Sequence, residues 1–243
     1  MKRLLSALAL LLPCLAACSD DEQTLQVLAA SSLTEAYTRL AEDYELDHPS
    51  VEVQLQFGSS TDLAETVADD GPGDVLATAD EESMQVAVDA GVTAEAPRRF
   101  ALNEMVIVTA SGNPERIRSL ADLQGTDWVR CADDAPCGRV AASLLDSAGV
   151  DAEPVSLEVD VKSTLEKVTS GEADAGLVYA SDATSARDEV DAVPIEGAAE
   201  VPAVYYVAPL TQAADPGLAE DWIALVTFPT GVAALHDAGF TAR

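Results

Sequence analysis

Apolar positions along this chain alternate between two patterns. Short apolar or every-second-residue runs at 25–30, 51–57, 74–78, 105–110, 128–131, 155–159, 173–179 and 203–208 predict strands. Between them, apolar residues recur three and four apart and predict helices over 33–46, 61–68, 81–90, 139–148, 161–169, 218–227 and 231–238, with a shorter turn at 120–123. In the first helix Leu33, Ala36, Tyr37, Leu40, Ala41 and Tyr44 share one face, and Gly91 and Gly149 stop two of the others. Strand followed by helix, repeated from end to end, predicts an α/β fold of mainly parallel sheets flanked by helices.

The alternation breaks near 97–103 and again near 195–203, each time with a proline. These breaks read as two crossings between two lobes. The first lobe is then discontinuous, 24–100 plus 200–243, and the second is 101–199. The stretch 182–193 fits neither pattern and reads as loose. Two crossings make a hinge, and a ligand in the cleft between the lobes would close it.

The N-terminus belongs to neither lobe. Lys2 and Arg3 precede an apolar run, 4–12, that is too short to span a bilayer and reads as a signal peptide over 1–17. Leu15-Ala16-Ala17-Cys18 followed by Ser19 fits a lipobox, so Cys18 is expected to carry lipid and start the mature chain. Residues 18–23 then form a short polar tether. The expected location is extracytoplasmic, with the membrane touched only through the anchor.

Charge and cysteine count narrow the partners. The formal charge is −30, or −32 once Lys2 and Arg3 are removed, and Lys162 and Lys167 are then the only lysines. Such a chain is repelled by nucleic acid and by anionic membrane surfaces. Disorder is excluded because the 48% hydrophobic content is periodic rather than scattered. With Cys18 assigned to lipid, Cys131 and Cys137 remain, and in an exported protein their default state is a disulfide. A cation site would need more Cys or His than this, and His48 and His236 lie in a turn and in an apolar helix.

Two junctions carry candidate chemistry. The strand at 25–30 breaks into Ser31-Ser32, and the strand at 51–57 into Gly58-Ser59-Ser60, with a helix after each. Ser32 and Ser60 read as helix N-caps, with side chains beside unpaired backbone N–H groups. Two such junctions facing one cleft would bind an anion through hydroxyls, N–H groups and helix dipoles, without a lysine or arginine. Strand carboxyl ends are where open α/β sheets place ligands. Three further loops offer the same kind of donor. Cys137 and Gly138 immediately precede a helix, Val161 starts one, and Tyr179 ends a strand with a hydroxyl to offer. Lys162 is expected in solvent, the acidic clusters 69–70, 80–82 and 133–134 read as solvated surface, and Trp128 and Trp222 as core. No nucleophile elbow, phosphate loop or dinucleotide fingerprint is present, which argues against an enzyme.

Taken in order, these five loops resemble those of the bacterial molybdate-binding family, the substrate-binding components of molybdate ABC transporters. The likeness rests on Ala29-Ala30-Ser31-Ser32-Leu33-Thr34, on Phe57-Gly58-Ser59-Ser60 with Gly73-Asp74-Val75-Leu76-Ala77-Thr78-Ala79-Asp80, and most specifically on residues 171–183, Gly-Glu-Ala-Asp-Ala-Gly-Leu-Val-Tyr-Ala-Ser-Asp-Ala. It implies a two-lobed type II periplasmic-binding-protein fold, a monomer without a cofactor, and a molybdate or tungstate ligand passed to a membrane permease. It also implies oxyanion contacts at Ser32, Ser60, Cys137, Val161 and Tyr179, with Ser31 competing for the first hydroxyl. Cys137 stands where the family more often has a small residue. A binding protein for another oxyanion (sulfate, phosphate) or a small organic anion, and a hydrolase or adhesion protein on the same fold, are the alternative classes.

Overall fold

A computed structural model describes residues 23–242. The expected signal peptide and Cys18 anchor lie outside the described residues. The first lobe begins with β1 (Gln23–Ala30), a 3₁₀ turn Ser31–Leu33, α1 (Thr34–Asp47), β2 (Val51–Gly58), α2 (Ser60–Ala68), β3 (Val75–Thr78), α3 (Glu81–Asp89) and β4 (Arg98–Asn103). The second lobe holds β5 (Met105–Ala110), a 3₁₀ turn Leu120–Leu123, β6 (Trp128–Cys131), α4 (Pro136–Ala148), β7 (Ser156–Glu158), α5 (Val161–Thr169), β8 (Ala175–Tyr179), α6 (Ala180–Ser185) and β9 (Val190–Pro194). The chain returns to the first lobe through β10 (Ala203–Pro209), α7 (Pro216–Thr227), α8 (Pro229–Asp237) and β11 (Thr241–Ala242).

The first sheet has the order β11-β4-β10-β3-β1-β2 and the second β7-β6-β8-β5-β9. Both are mixed rather than mainly parallel. β1 pairs in parallel with β2 and β3, and β6 with β7 and β8, wherever a helix connects successive strands. β10 runs antiparallel to β3 and β4, and β5 antiparallel to β8 and β9. These antiparallel members adjoin the passages between lobes, where no covering helix reverses the chain. Only Glu104 separates β4 of one sheet from β5 of the other. The stretch expected to be loose contains α6 and β9, elements of six and five residues that are too short to show a period.

Alternation on β1 divides the first lobe's core. Leu25, Val27 and Ala29 join the main cluster on one face of the sheet, with Tyr37 and Leu40 of α1 and Trp222 of α7. Leu28 faces the other way, onto Leu63 and Val67 of α2 and Met84 of α3. Trp222 meets Tyr37 edge-on at 5.4 Å, and Trp128 is fully buried in the second lobe, so both tryptophans are core. Packing on both faces holds the strand ends still, and those ends build the site.

Candidate anion-binding site

All five candidate residues line one small cavity between the lobes. Ser31 and Ser32 follow β1, Ser59 and Ser60 follow β2, Pro136 and Cys137 follow β6, Val161 follows β7 and Tyr179 ends β8. Each is at the carboxyl end of a strand with a parallel neighbour. Ser32, Ser60, Val161 and Tyr179 are almost wholly buried around the cavity, so the lobes have closed over it.

The serines do not act as caps. Ala30 caps the 3₁₀ turn, Leu33 caps α1, and Ser59 caps α2 with no side-chain bond of its own. Ser60 is the first residue of α2 and Ser32 the second of the 3₁₀ turn, and each side chain turns toward a neighbouring strand instead of the helix end. Ser60 Oγ accepts from the Ala79 N–H at 2.9 Å, and Ser32 Oγ lies 2.7 Å from the Tyr205 hydroxyl. Ser31 Oγ makes no such bond, although its carbonyl accepts from Thr34 Oγ1 at 2.6 Å.

The third loop also differs in register. α4 starts at Pro136, so Cys137 and Gly138 are inside its first turn rather than before it. Proline suits the first position because the N–H it lacks would have no intrahelical partner. The Cys131–Cys137 disulfide, with Cα atoms 5.7 Å apart, folds residues 132–135 against the helix start. Glycine is required next, since a Cβ at Gly138 would stand 1.8 Å from the Ala132 carbonyl oxygen. The N–H groups of Cys137 and Val161 both belong to first helical turns, where no intrahelical acceptor exists.

Among the described residues, no lysine or arginine lines the cavity, and Asp160 is its only acid. Asp160 Oδ1 is engaged by the Ser163 N–H at 2.8 Å, as the cap of α5. The Tyr179 hydroxyl is buried with no hydrogen-bond partner among the described residues. Burial first, then the nearby Tyr205, Asp80 and Asp182, push its pKa well up, so it stays a neutral O–H donor. A buried orphan donor lining a cavity is the kind of exception that an absent acceptor explains.

Cations stand outside the cavity and tie the lobes together. Arg139 of α4 reaches Asp80 at the start of α3, with Nε and Nη2 at 2.9 and 2.6 Å from Oδ2, and Nη2 also donates to Ser83 Oγ at 3.0 Å. Thr61 Oγ1 donates to the Asp134 carbonyl at 2.7 Å. On the opposite flank Lys162 of α5 donates to both carboxylate oxygens of Glu35 in α1, at 2.7 and 2.8 Å, and lies 3.3 Å from Asp182 Oδ1. Lys162 is therefore an interlobe clamp and not a solvated lysine, because the first turn of α5 faces α1 once the lobes close. These pairings, and the role of Tyr205, were not read from the sequence. They join residues up to 173 positions apart, and no period marks them.

Comparison with known proteins agrees with this geometry. Residues 25–241 match the family described as bacterial extracellular solute-binding protein. The chain belongs to that family. This solute-binding protein is 40% identical over 224 residues to the molybdate-binding protein ModA of Mycobacterium tuberculosis (strain H37Rv), a match covering 91% of this chain and 86% of that one. Its fold matches the periplasmic molybdate-binding protein of Azotobacter vinelandii with a TM-score of 0.78 at 18% identity, over 90% of this chain and 99% of the other. It matches the sulfate-binding protein SubI of Mycobacterium tuberculosis H37Rv equally well, at 0.79 and 16% identity over 90% and 87%. The two structural likenesses establish the two-lobed fold and leave the solute to the chemistry of the cavity.

Proposed function

We propose that this protein captures molybdate, and tungstate in the same way, outside the cytoplasm and delivers it to an ABC importer. The observation that carries the reading is the donor set. Residues that carry three hydroxyls (Ser32, Ser60, Tyr179) and residues at helix starts with N–H groups to offer (Ser32, Ser60, Cys137, Val161) line one small space, with no lysine or arginine among the described residues that line it. Helix starts and preorganised N–H groups hold a tetrahedral dianion without counter-charge. A fully deprotonated ion suits a donor-rich cage whose one carboxylate, Asp160, is engaged as a helix cap, whereas hydrogen phosphate also needs an acceptor for its own proton. The name of the Mycobacterium tuberculosis relative supports molybdate as the dianion. In this reading the first lobe is 24–103 plus 200–243 and the second 104–199, because β4 (Arg98–Asn103) belongs to the first sheet and moves the expected boundary from 100 to 103; the protein is a monomer, and lipid on Cys18 holds it at the membrane beside its permease.

Thermal melting of the 19–243 chain tests the assignment. Binding to the native state alone adds RT ln(1 + [L]/Kd), about 2.7 kcal/mol at a hundredfold excess over Kd. Molybdate and tungstate raise the melting temperature, and sulfate and phosphate at equal concentration do little. A shift as large with sulfate or phosphate overturns the assignment.

A further inference from the structure

Ser60 and Ser32 are each supported from behind. A serine hydroxyl has one proton and two lone pairs. Ser60 Oγ accepts from the backbone N–H of Ala79, which can only donate, so its proton is left for the cavity. For Ser32 and Tyr205 the 2.7 Å contact permits either direction. Tyr205 is fully buried and does not itself line the cavity. Its ring is held edge-on by Phe240 at 5.2 Å, Phe100 at 6.1 Å and Tyr179 at 6.3 Å. The register of β10 against β4 shifts between Tyr205 and Tyr206, a bulge of the kind that re-aims a side chain beside a site.

We propose that Tyr205 is the donor of this pair and so a positioning residue: it fills a lone pair of Ser32 Oγ from behind and directs the single Ser32 proton to the bound oxyanion. Three observations favour this direction. A phenol is the more acidic hydroxyl and the stronger donor. Burial keeps Tyr205 protonated, so the proton it donates is always present. Asn103, the other polar neighbour of this hydroxyl, gives one Nδ2 proton to Ser181 Oγ at 2.8 Å and has a second to give to the Tyr205 oxygen, which leaves the Tyr205 proton for Ser32. The two first-lobe serines then work alike, one oriented by a backbone N–H and the other by a side chain.

The inference rests on the oxyanion reading of the cavity, and a double-mutant cycle separates the two. Molybdate affinity is measured calorimetrically for the 19–243 chain, Tyr205→Phe, Ser32→Ala and the double variant, each first shown to be folded by its melting curve. Phenylalanine keeps every ring contact. Tyr205→Phe is expected to weaken affinity about three- to tenfold, the size of one neutral hydrogen bond. In the Ser32→Ala background the same change is expected to cost less than about twofold, because the two act as one unit. Equal losses in both backgrounds would mean a packing role only and would overturn the proposal. Unchanged or tighter binding by Tyr205→Phe would also overturn it, since that places the Ser32 proton on Tyr205 in the native protein. If the unaltered chain binds no tetrahedral oxyanion at all, the oxyanion reading falls and this inference falls with it.

Discussion

Ser60 and Val161 occupy the same place in opposite lobes. Each is the first residue of a nine-residue helix, each follows a strand, and each is buried against the cavity. Their chemistry differs. Ser60 offers a hydroxyl as well as an N–H, and its helix has no side-chain cap. Val161 offers an N–H alone, and its helix is capped by the carboxylate of Asp160. In the proposed reading the first lobe therefore holds the anion partly through side chains that a substitution removes. Apart from Tyr179, the second lobe holds it through backbone placed by a cap, a proline, a glycine and a disulfide. One lobe should be sensitive to substitution at the contact itself, and the other only to changes in what positions the contact.

The largest expected losses are at the hydroxyls, and two of them separate binding from folding. Ser60→Ala and Tyr179→Phe each delete one donor to a charged acceptor, worth roughly 1.5–3 kcal/mol, so each should weaken molybdate affinity about ten- to a hundredfold by calorimetry. Their ligand-free stabilities should diverge. Ser60→Ala also strands the buried Ala79 N–H, at a cost of about 1–3 kcal/mol. Tyr179→Phe strands nothing, because that hydroxyl has no protein partner, and its ligand-free melting temperature should stay level or rise. A Tyr179→Phe variant that binds normally would remove Tyr179 from the cage.

Smaller effects are expected at the clamp, and they depend on pH. Burial is the main reason the Asp182 carboxyl is raised to about 6 from an ordinary 3.8, and the facing Lys162 limits that rise. The other charged group facing this pair is Glu35, which pushes the Asp182 pKa up. Between those two values the folded protein holds a proton that the unfolded chain has released. This contribution to stability therefore grows as pH falls through 6 and is complete below about 4. Lys162→Ala removes the cation that compensates Asp182 once it ionises. The variant should lose about 1–2 kcal/mol at pH 8 and much less at pH 5, where the carboxyl is mostly protonated, as read by melting curves at both values. Its molybdate affinity should fall by only about threefold, because Lys162 bridges the lobes without lining the cavity. Loss of binding as severe as that of the hydroxyl variants would mean that charge, and not the donor cage, holds the anion.

Legibility in the sequence followed the same division. Hydrophobic period located the strands and helices whose ends surround the cavity, and paired serines after two apolar runs marked residues of the first lobe that line it. Ser32 and Ser60 were recognisable because they contribute functional atoms of their own. Their mode of action was not. Read as caps, they are instead oriented by Ala79 and by Tyr205, a partner 173 residues from Ser32 that no local pattern announces. Cys137 and Val161 were offered by helix-start position alone, a weak signal that the family resemblance strengthened, since an N–H at a helix start is common to every residue except proline. The antiparallel strands escaped because strand direction depends on how the chain passes between lobes, and periodicity does not encode that. Lys162 and Arg139 were misjudged or passed over because their partners lie on the opposite lobe.

The smallest expected effect is the sharpest test of the comparison. Val161→Ala trims two methyl groups from a side chain that is 2% exposed and packed into the core, and leaves the N–H in place. Stability should fall by about 1–2 kcal/mol through lost burial and the cavity left behind. Affinity for molybdate should change by less than about threefold, because Asp160 still caps the helix through the Ser163 N–H and still sets the direction of its first turn. The same truncation in kind at the matching position of the other lobe, Ser60→Ala, removes a single oxygen and is expected to cost ten times more in binding or beyond. Calorimetry and melting curves on the two variants side by side decide the matter. If Val161→Ala weakens binding as strongly as Ser60→Ala while retaining its fold, the second lobe recognises the anion through side-chain shape, and the contrast between a hydroxyl lobe and a backbone lobe is wrong.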